Sequence, residues 1–260
     1  LLANETIPIM TMIERGILSI LFQALSSKDD HTREIAYHSL SQIYDYNHRK
    51  KDWKFEHQIA LILESVLNAV KEPNYKFTSL ISQFLATITQ IIIKPNHPLF
   101  MDVIKFLASN QSLKCSTVPM FNELFGQSSI DYRIGRMWIL KFLRNGIKEP
   151  SDILLLKKGK IIERLCSFFS SSLSDAFTRN LVLDIFEKSS KQQKLEDIIF
   201  WVYSIMTEPY SFMHYNQLIM LALSIKPQTE QEKECCKLIS KYAITQHKTL
   251  LLPTTIEKIH

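Results

Sequence analysis

"FTSLISQFLATITQIIIKPNHPLF", residues 77–100, is the stretch that decides the fold class. Apolar side chains recur in it at steps of three and four, the spacing that places them on one face of an α-helix. The pattern predicts one long helix with a wide apolar stripe, and it stops where two prolines follow within a few residues. The stripe consists of Phe77, Leu80, Ile81, Phe84, Leu85, Ile88, Ile91 and Ile92.

The segment "KPNHP", residues 94–98, is predicted to join two helices. Pro95 ends the first helix and biases Lys94 away from helical geometry. Pro98 suits the first turn of the next helix, where its missing N–H is not needed. Asn96 or His97 then lies near the N-cap. We interpret His97 as a capping or hinge residue rather than as a catalytic or metal-binding one.

The same helical spacing recurs along the rest of the chain, and no segment alternates with period two for long enough to predict a strand. The 260 residues include only 5 glycines, fewer than the hairpins and phosphate loops of a β-rich or α/β enzyme require. Turn-forming residues interrupt the pattern at intervals of one helix plus a turn. Thr229 and Glu232 have the spacing of a capping box that opens the last long helix.

Two segments share one design, which indicates an internal repeat. "LSSKDDHTREIAYHSL" (25–40) and "FSSSLSDAFTRNLVLDIF" (169–186) each have a serine-rich turn, then Thr-Arg, then an apolar run. Arg33 and Arg179 hold matching places near the start of a helix, as in armadillo and HEAT repeats. We predict an all-α, armadillo/HEAT-like α-solenoid of about a dozen serial helices.

Composition sets broad limits on the function. The net charge of +5, from 31 basic and 26 acidic residues, permits a nucleic-acid partner without requiring one. The cysteines Cys115, Cys166, Cys235 and Cys236 lack ligand spacing, which predicts a reducing compartment without a zinc site or disulfide framework. No apolar run is long enough for a membrane span, and no signal peptide is recognisable. The first residue is Leu, so we expect a piece of a longer protein.

No motif of an active site is present: the chain lacks a Gly-rich phosphate loop, CxxC, HExxH and GxSxG. We therefore expect no catalytic residue, cofactor, metal or small-molecule substrate. A hydrolase that uses Cys115, with His97 or another histidine as base, stays open as an alternative, because such residues meet in space rather than along the chain.

Three basic segments are candidates for contact with RNA. "HRKKDWK" (48–54) places cations beside Trp53, which can stack on a base or instead anchor the next helix. "DYRIGRMWILKFLRNGIK" (131–148) is predicted to be a helix with a basic side that includes Lys148 and an apolar side of Ile134, Trp138, Ile139, Phe142 and Leu143. "KKGK" (157–160) lies in the turn that follows. The candidates are Arg49, Lys50, Lys51, Lys54, Arg133, Arg136, Lys141, Arg144, Lys157, Lys158 and Lys160.

Several short motifs occur in the order typical of one known family. Pro95, His97, Pro98, Leu99 and Phe100 form a Pro-x-His-Pro-Leu-aromatic joint, and Phe106, Leu107, Val118, Pro119 and Phe121 continue it. Trp138, Leu140, Leu143, Gly146 and Asp152 complete the pattern. In these motifs residues 15–190 resemble the C-terminal domain of the nucleolar pre-ribosomal-associated protein 1 family and the armadillo-like repeat that precedes it.

The resemblance implies a large helical scaffold of the nucleolus that acts in early maturation of the large ribosomal subunit. It implies contact with pre-ribosomal RNA and with assembly factors, including a complex that contains a DEAD-box helicase. We predict one continuous helical-repeat domain over residues 1–260. The resemblance divides this domain into an armadillo-like part (1–75), a family core (76–190) and further helices (191–260). The alternative is a helical-repeat adaptor that binds only proteins.

Overall fold

The fold is all-α, as predicted. The computed structural model describes residues 9–49, 53–126, 132–193, 195, 198–206, 214–225 and 227–247, and within these ranges there are fourteen helices and no β-strand. The helices are α1 (Ile9–Glu14), α2 (Ile17–Ala24), α3 (Asp30–Arg49), α4 (Glu56–Leu67), α5 (Ser79–Ile92), α6 (Phe100–Ser109), α7 (Phe121–Phe125), α8 (Tyr132–Gly146), α9 (Pro150–Lys158), α10 (Ile161–Phe169), α11 (Ala176–Gln192), α12 (Ile198–Met206), α13 (Tyr215–Ser224) and α14 (Glu230–His247).

The chain divides into two compact units, Leu1–Gly146 and Ile147–His260. In the first unit, α2 to α6 pack successively on one another; in the second, α9 to α11 and α12 to α14 do so. Packing of serial helices on their close neighbours in the chain is the arrangement of armadillo and HEAT proteins. We predicted one continuous domain with internal boundaries at residues 75 and 190, and that division stays a prediction.

Helix α5 is the centre of the first unit and is the helix predicted from residues 77–92. It begins after Thr78, whose hydroxyl accepts a hydrogen bond from the backbone N–H of Ile81 at 3.4 Å. Its side chains are buried nearly all round, because α2, α4, α6 and α8 all pack against it. Because so much of its surface is covered, α5 also buries polar residues, namely Ser79, Ser82 and Thr89.

Helices α5 and α8 approach closely and run antiparallel. A Cβ atom on Gly146, at the end of α8, would lie 2.8 Å from Leu80 Cδ2, near the start of α5. One turn further along α5, the ring of Phe84 lies edge-on to Phe142 at 6.0 Å and to Trp138 at 6.4 Å. The start of α8 therefore lies toward the end of α5.

The 94–98 segment is the predicted joint, with one difference. The next helix begins at Phe100 with Leu99 as N-cap, so it starts later than the position of Pro98 suggested. Neither Asn96 nor His97 is therefore the N-cap; instead, His97 Nδ1 accepts a hydrogen bond from the backbone N–H of Leu99 at 3.1 Å. The two prolines leave a tight turn between the helices, and the imidazole stabilises it.

The repeat predicted from Arg33 and Arg179 has a structural basis in each unit. Arg33 is buried, and its Nη1 donates to the carbonyl of Ser27 at 2.8 Å. Arg179 Nε donates to the carbonyl of Phe169 at 3.1 Å and to Ser174 Oγ at 2.9 Å. Both guanidinium groups thus hold the turn that precedes their own helix.

Capping residues define the helix starts in the second unit. The buried carboxylate of Asp152 accepts hydrogen bonds from the N–H groups of Lys148 and Glu149 at 3.0 and 2.9 Å, ahead of α9. The capping box predicted for α14 is confirmed: Glu232 N–H donates to Thr229 Oγ1, and Thr229 N–H donates to Glu232 Oε2, both at 3.1 Å.

Candidate nucleic-acid interface

Helix α8 carries the best-defined group of candidate cations. Arg133 and Lys141 are exposed and Arg144 is half-buried, and the helical period places all three away from Phe142 and Gly146, which contact α5. Because an α-helix rises about 1.5 Å per residue, Arg133 and Arg144 are separated by about 16 Å along the axis. We refer to Arg133, Lys141 and Arg144 as the α8 cations.

Arg136 does not belong to this exposed face, which corrects the prediction. Its side chain is buried, with a relative exposure of 6%. Its Nη2 donates to the carbonyl of Phe125 at 3.4 Å, and its guanidinium lies 5.7 Å from the centre of the Phe125 ring. Helix α7 packs on α8 here, close enough that a Cβ on Gly135 would contact Leu124 at 3.3 Å. The buried face of α8 therefore includes Arg136.

The apolar side of α8 is also rotated from its predicted position. Ile134, expected in the core, is 40% exposed, whereas Ile139 and Leu143 are fully buried. Trp138 is half-buried rather than core; its ring stacks on Phe142 with centroids 5.7 Å apart. Lys148 lies beyond the last residue of α8 and is not part of its face.

The 48–54 segment offers cations but a poor platform for a base. Arg49 is the exposed last residue of α3, and its Nε donates to the carbonyl of Asp45 at 3.2 Å. Lys54 Nζ lies 3.5 Å from a carboxylate oxygen of Glu14. Lys50 and Lys51 lie outside the described residues.

Trp53 packs edge-on against Tyr46 with centroids 6.1 Å apart, and its Nε1 is buried. The contact favours the interpretation of Trp53 as an anchor for the chain between α3 and α4. A ring that is packed in this way has less surface free for stacking on a nucleobase.

The second unit carries its own cations at the end of α9. Lys157 and Lys158 belong to the last turn of that helix rather than to the following turn, and Lys158 and Lys160 are exposed. Cations in a last turn interact favourably with the helix dipole, which gives them a structural role in any case. Lys160 has a positive φ of 50°, an uncommon conformation for a residue with a side chain.

The groups considered for nucleophilic chemistry have environments that disfavour it. Burial raises the pKa of the Cys115 thiol, although Lys71 opposes this, so the reactive thiolate is suppressed. Burial, and then the charge of Lys94, lower the pKa of His97. Within the described ranges no three His, Cys, Asp or Glu side chains are grouped as a metal would require, and no helix there is long and apolar enough to cross a membrane.

The motif residues that carry the resemblance serve packing and capping. Phe121, Leu140 and Leu143 are buried, Gly146 permits the close approach to α5, and Asp152 caps α9. None of these five contributes an exposed reactive group. Lys94, which was considered only as part of the joint, is exposed beside His97. The signal for this further cation in the sequence is its position in "KPNHP", a turn between two helices.

These features define a class of all-α helical-repeat protein with exposed cations on separate helices. Residues 18–208 match the family described as nucleolar pre-ribosomal-associated protein 1, and the chain belongs to that family. The nucleolar location predicted from the resemblance is confirmed at the level of the family.

Two relatives carry the same name, Nucleolar pre-ribosomal-associated protein 1. The one from Mus musculus is 26% identical over 195 residues and the one from Homo sapiens is 27% identical over 195 residues. The matched part is 75% of this chain and 8% of each relative, so the chain spans a small fraction of their length. No solved structure matches the chain.

Proposed function

We propose that this chain is a non-enzymatic scaffold segment of early large-ribosomal-subunit biogenesis that binds pre-ribosomal RNA and assembly factors. The observation that carries the proposal is the row of α8 cations, presented on a rigid helix that packs on the central α5. Arg49, Lys54, Lys157, Lys158 and Lys160 are further, weaker candidates. Assembly factors, including a complex with a DEAD-box helicase, would bind other parts of the helical surface.

Cations on one helix suit the backbone of structured RNA. Phosphate contacts supply affinity that depends on salt and little on sequence. Helical RNA is recognised mostly through its shape, its phosphates and its 2′-hydroxyls, because side chains cannot read its deep major groove. The packing of Trp53 and Trp138 against other rings agrees with contact to phosphates rather than to stacked bases.

The competing function is a protein-binding adaptor without RNA contact. Exposed apolar side chains support it: Ile134 on α8 is 40% exposed, and Leu173 and Phe177 in the second unit are 56% and 51% exposed. Apolar residues at the surface are typical of protein-binding faces when they are contiguous. Ile134 adjoins Arg133, so the α8 face could also accept an acidic amphipathic partner.

A filter-binding titration with structured ribosomal RNA separates the two functions. The triple variant Arg133→Ala/Lys141→Ala/Arg144→Ala is expected to bind more weakly than wild type while its circular dichroism is unchanged. The matched control is Lys28→Ala/Lys71→Ala/Lys105→Ala, which removes the same charge at exposed positions of the same unit. Equal binding by the two variants, or no binding by wild type at micromolar protein, would favour the adaptor.

A further inference from the structure

The joint at residues 94–98 forms a shallow surface pocket that is open to solvent. The pocket has a volume of about 440 Å³ and is lined by Lys94, Pro95, Asn96, His97 and Pro98. Successive hydrogen bonds hold the turn: Lys94 N–H donates to Ile91, His97 N–H to Lys94 and Phe100 N–H to His97, each at 2.9 Å. Two prolines further restrict the chain, so the backbone of the turn is preorganised, while the Lys94 side chain is exposed.

The hydrogen bond to His97 fixes which ring nitrogen carries the proton. Because Nδ1 accepts from the Leu99 N–H at 3.1 Å, a neutral imidazole must hold its proton on Nε2. The ring is therefore a hydrogen-bond donor at Nε2. The Lys94 ammonium is close enough to help lower the pKa of His97, after burial as the larger cause. The joint thus pairs one cation with one neutral donor.

The antiparallel packing of α5 and α8 brings this joint to the same end of the helix pair as Arg133. Gly146 and Leu80 meet at the opposite end, and Phe84 meets Trp138 and Phe142 between. The end of α5, where Lys94 follows, therefore lies toward the start of α8. Lys94 and Arg133 therefore lie toward the same end of the α5–α8 pair, which makes Lys94 a candidate to extend the contact made by the α8 cations.

We propose that the 94–98 joint is a phosphate-binding subsite of the RNA interface, in which Lys94 Nζ and His97 Nε2–H donate to one backbone phosphate. The inference rests on the proposed function, because it extends the α8 cations to a further contact. A phosphodiester offers only acceptor oxygens, so a cation and an N–H donor on a rigid turn are complementary to it. The charge of a bound phosphate raises the pKa of the imidazole, whereas the Leu99 N–H that donates to Nδ1 favours the neutral ring and limits the rise.

The first test is a salt titration of RNA binding by Lys94→Gln. Loss of one phosphate contact should weaken binding several-fold and reduce the slope of log K against log salt by about 1. Lys28→Gln is the matched control. Lys28 is also exposed, but it follows α2 at the other end of α5, where the Phe77 N–H donates to the Leu25 carbonyl at 3.1 Å. The control should bind as wild type does.

The second test follows the His97 ring by NMR, assigned with His97→Gln, during pH titrations without ligand, with inorganic phosphate and with a structured ribosomal RNA. The pKa of His97 should rise with RNA. The subsite proposal is contradicted if Lys94→Gln binds RNA as Lys28→Gln does and the pKa of His97 does not change. The proposed function still stands in that case, provided that RNA binding depends on the α8 cations. Movement with inorganic phosphate but not with RNA would overturn the assignment to RNA, whereas movement with both is expected of a phosphate-binding subsite. Absence of any RNA binding by wild type would overturn the proposed function itself.

Discussion

Gly146→Ala tests the close approach of α5 and α8 that positions the α8 cations. The added Cβ would lie 2.8 Å from Leu80 Cδ2, 3.3 Å from Leu80 Cα and 3.4 Å from Gln83 Cβ. Leu80 has 0% exposure, so its methyl group can turn only within a packed core. Helix propensity alone would favour alanine by about 0.5–1 kcal/mol, whereas overpacking costs about 1–3 kcal/mol. We expect a net loss of about 1–2 kcal/mol in the free energy of unfolding.

Urea unfolding followed by tryptophan fluorescence measures this loss, because Trp138 lies in the affected contact. Asn145→Ala is the control: Asn145 is the exposed neighbour on the same helix, and its change should leave stability the same or slightly higher. In a Leu80→Ala background the obstructing methyl is gone, so Gly146→Ala should cost less there. A Gly146→Ala protein as stable as wild type, or an equal cost in both backgrounds, would refute the close approach.

Three further predictions concern single residues. Trp138→Ala should lower the free energy of unfolding, measured in urea, by about 2 kcal/mol, which is less than the loss of about 3–5 kcal/mol typical of a fully buried ring. A loss below about 1 kcal/mol would contradict the stacking of Trp138 on Phe142. Lys160→Gly should stabilise the protein by about 1 kcal/mol, because glycine adopts a positive φ without strain. The same variant should bind RNA more weakly if Lys160 contacts a phosphate. A destabilised variant would contradict the positive φ at this position. Burial lowers the pKa of His214 in the folded protein, and the charge of Arg179 contributes, so the stabilisation should be complete above about pH 6.5 and be lost as the pH falls from there toward the folded pKa. In urea titrations His214→Gln should therefore lose less stability than wild type between pH 7.5 and 5.5. An equal loss in both proteins would exclude His214 as the cause.

Features that depend on nearby residues could be predicted from the sequence. The buried face of α5 follows from its apolar spacing, and the Thr229–Glu232 box needs only the first turn of one helix. Arg33 and Arg179 form hydrogen bonds to turns a few residues upstream. Because these contacts are local, the sequence pattern that the two arginines share corresponds to the same structure in both places.

The orientation of α8 could not be predicted, because it is set by a neighbour that the pattern does not identify. Helix α7 covers Arg136, and the carbonyl of Phe125 together with its ring makes burial of a guanidinium possible. Ile134 is exposed in consequence. The direction of the His97 ring likewise depends on the geometry of a turn, which neither proline specifies alone.

The salt dependence of RNA binding, compared between wild type and the triple variant of the α8 cations, is the most direct measurement of the central claim. Each phosphate contact contributes about 0.7 to 0.9 to the slope of log K against log salt, so loss of three contacts should flatten the slope by about 2 to 3. The Lys28/Lys71/Lys105 control should keep the wild-type slope. An unchanged slope in the triple variant would contradict the assignment of this helix face to RNA.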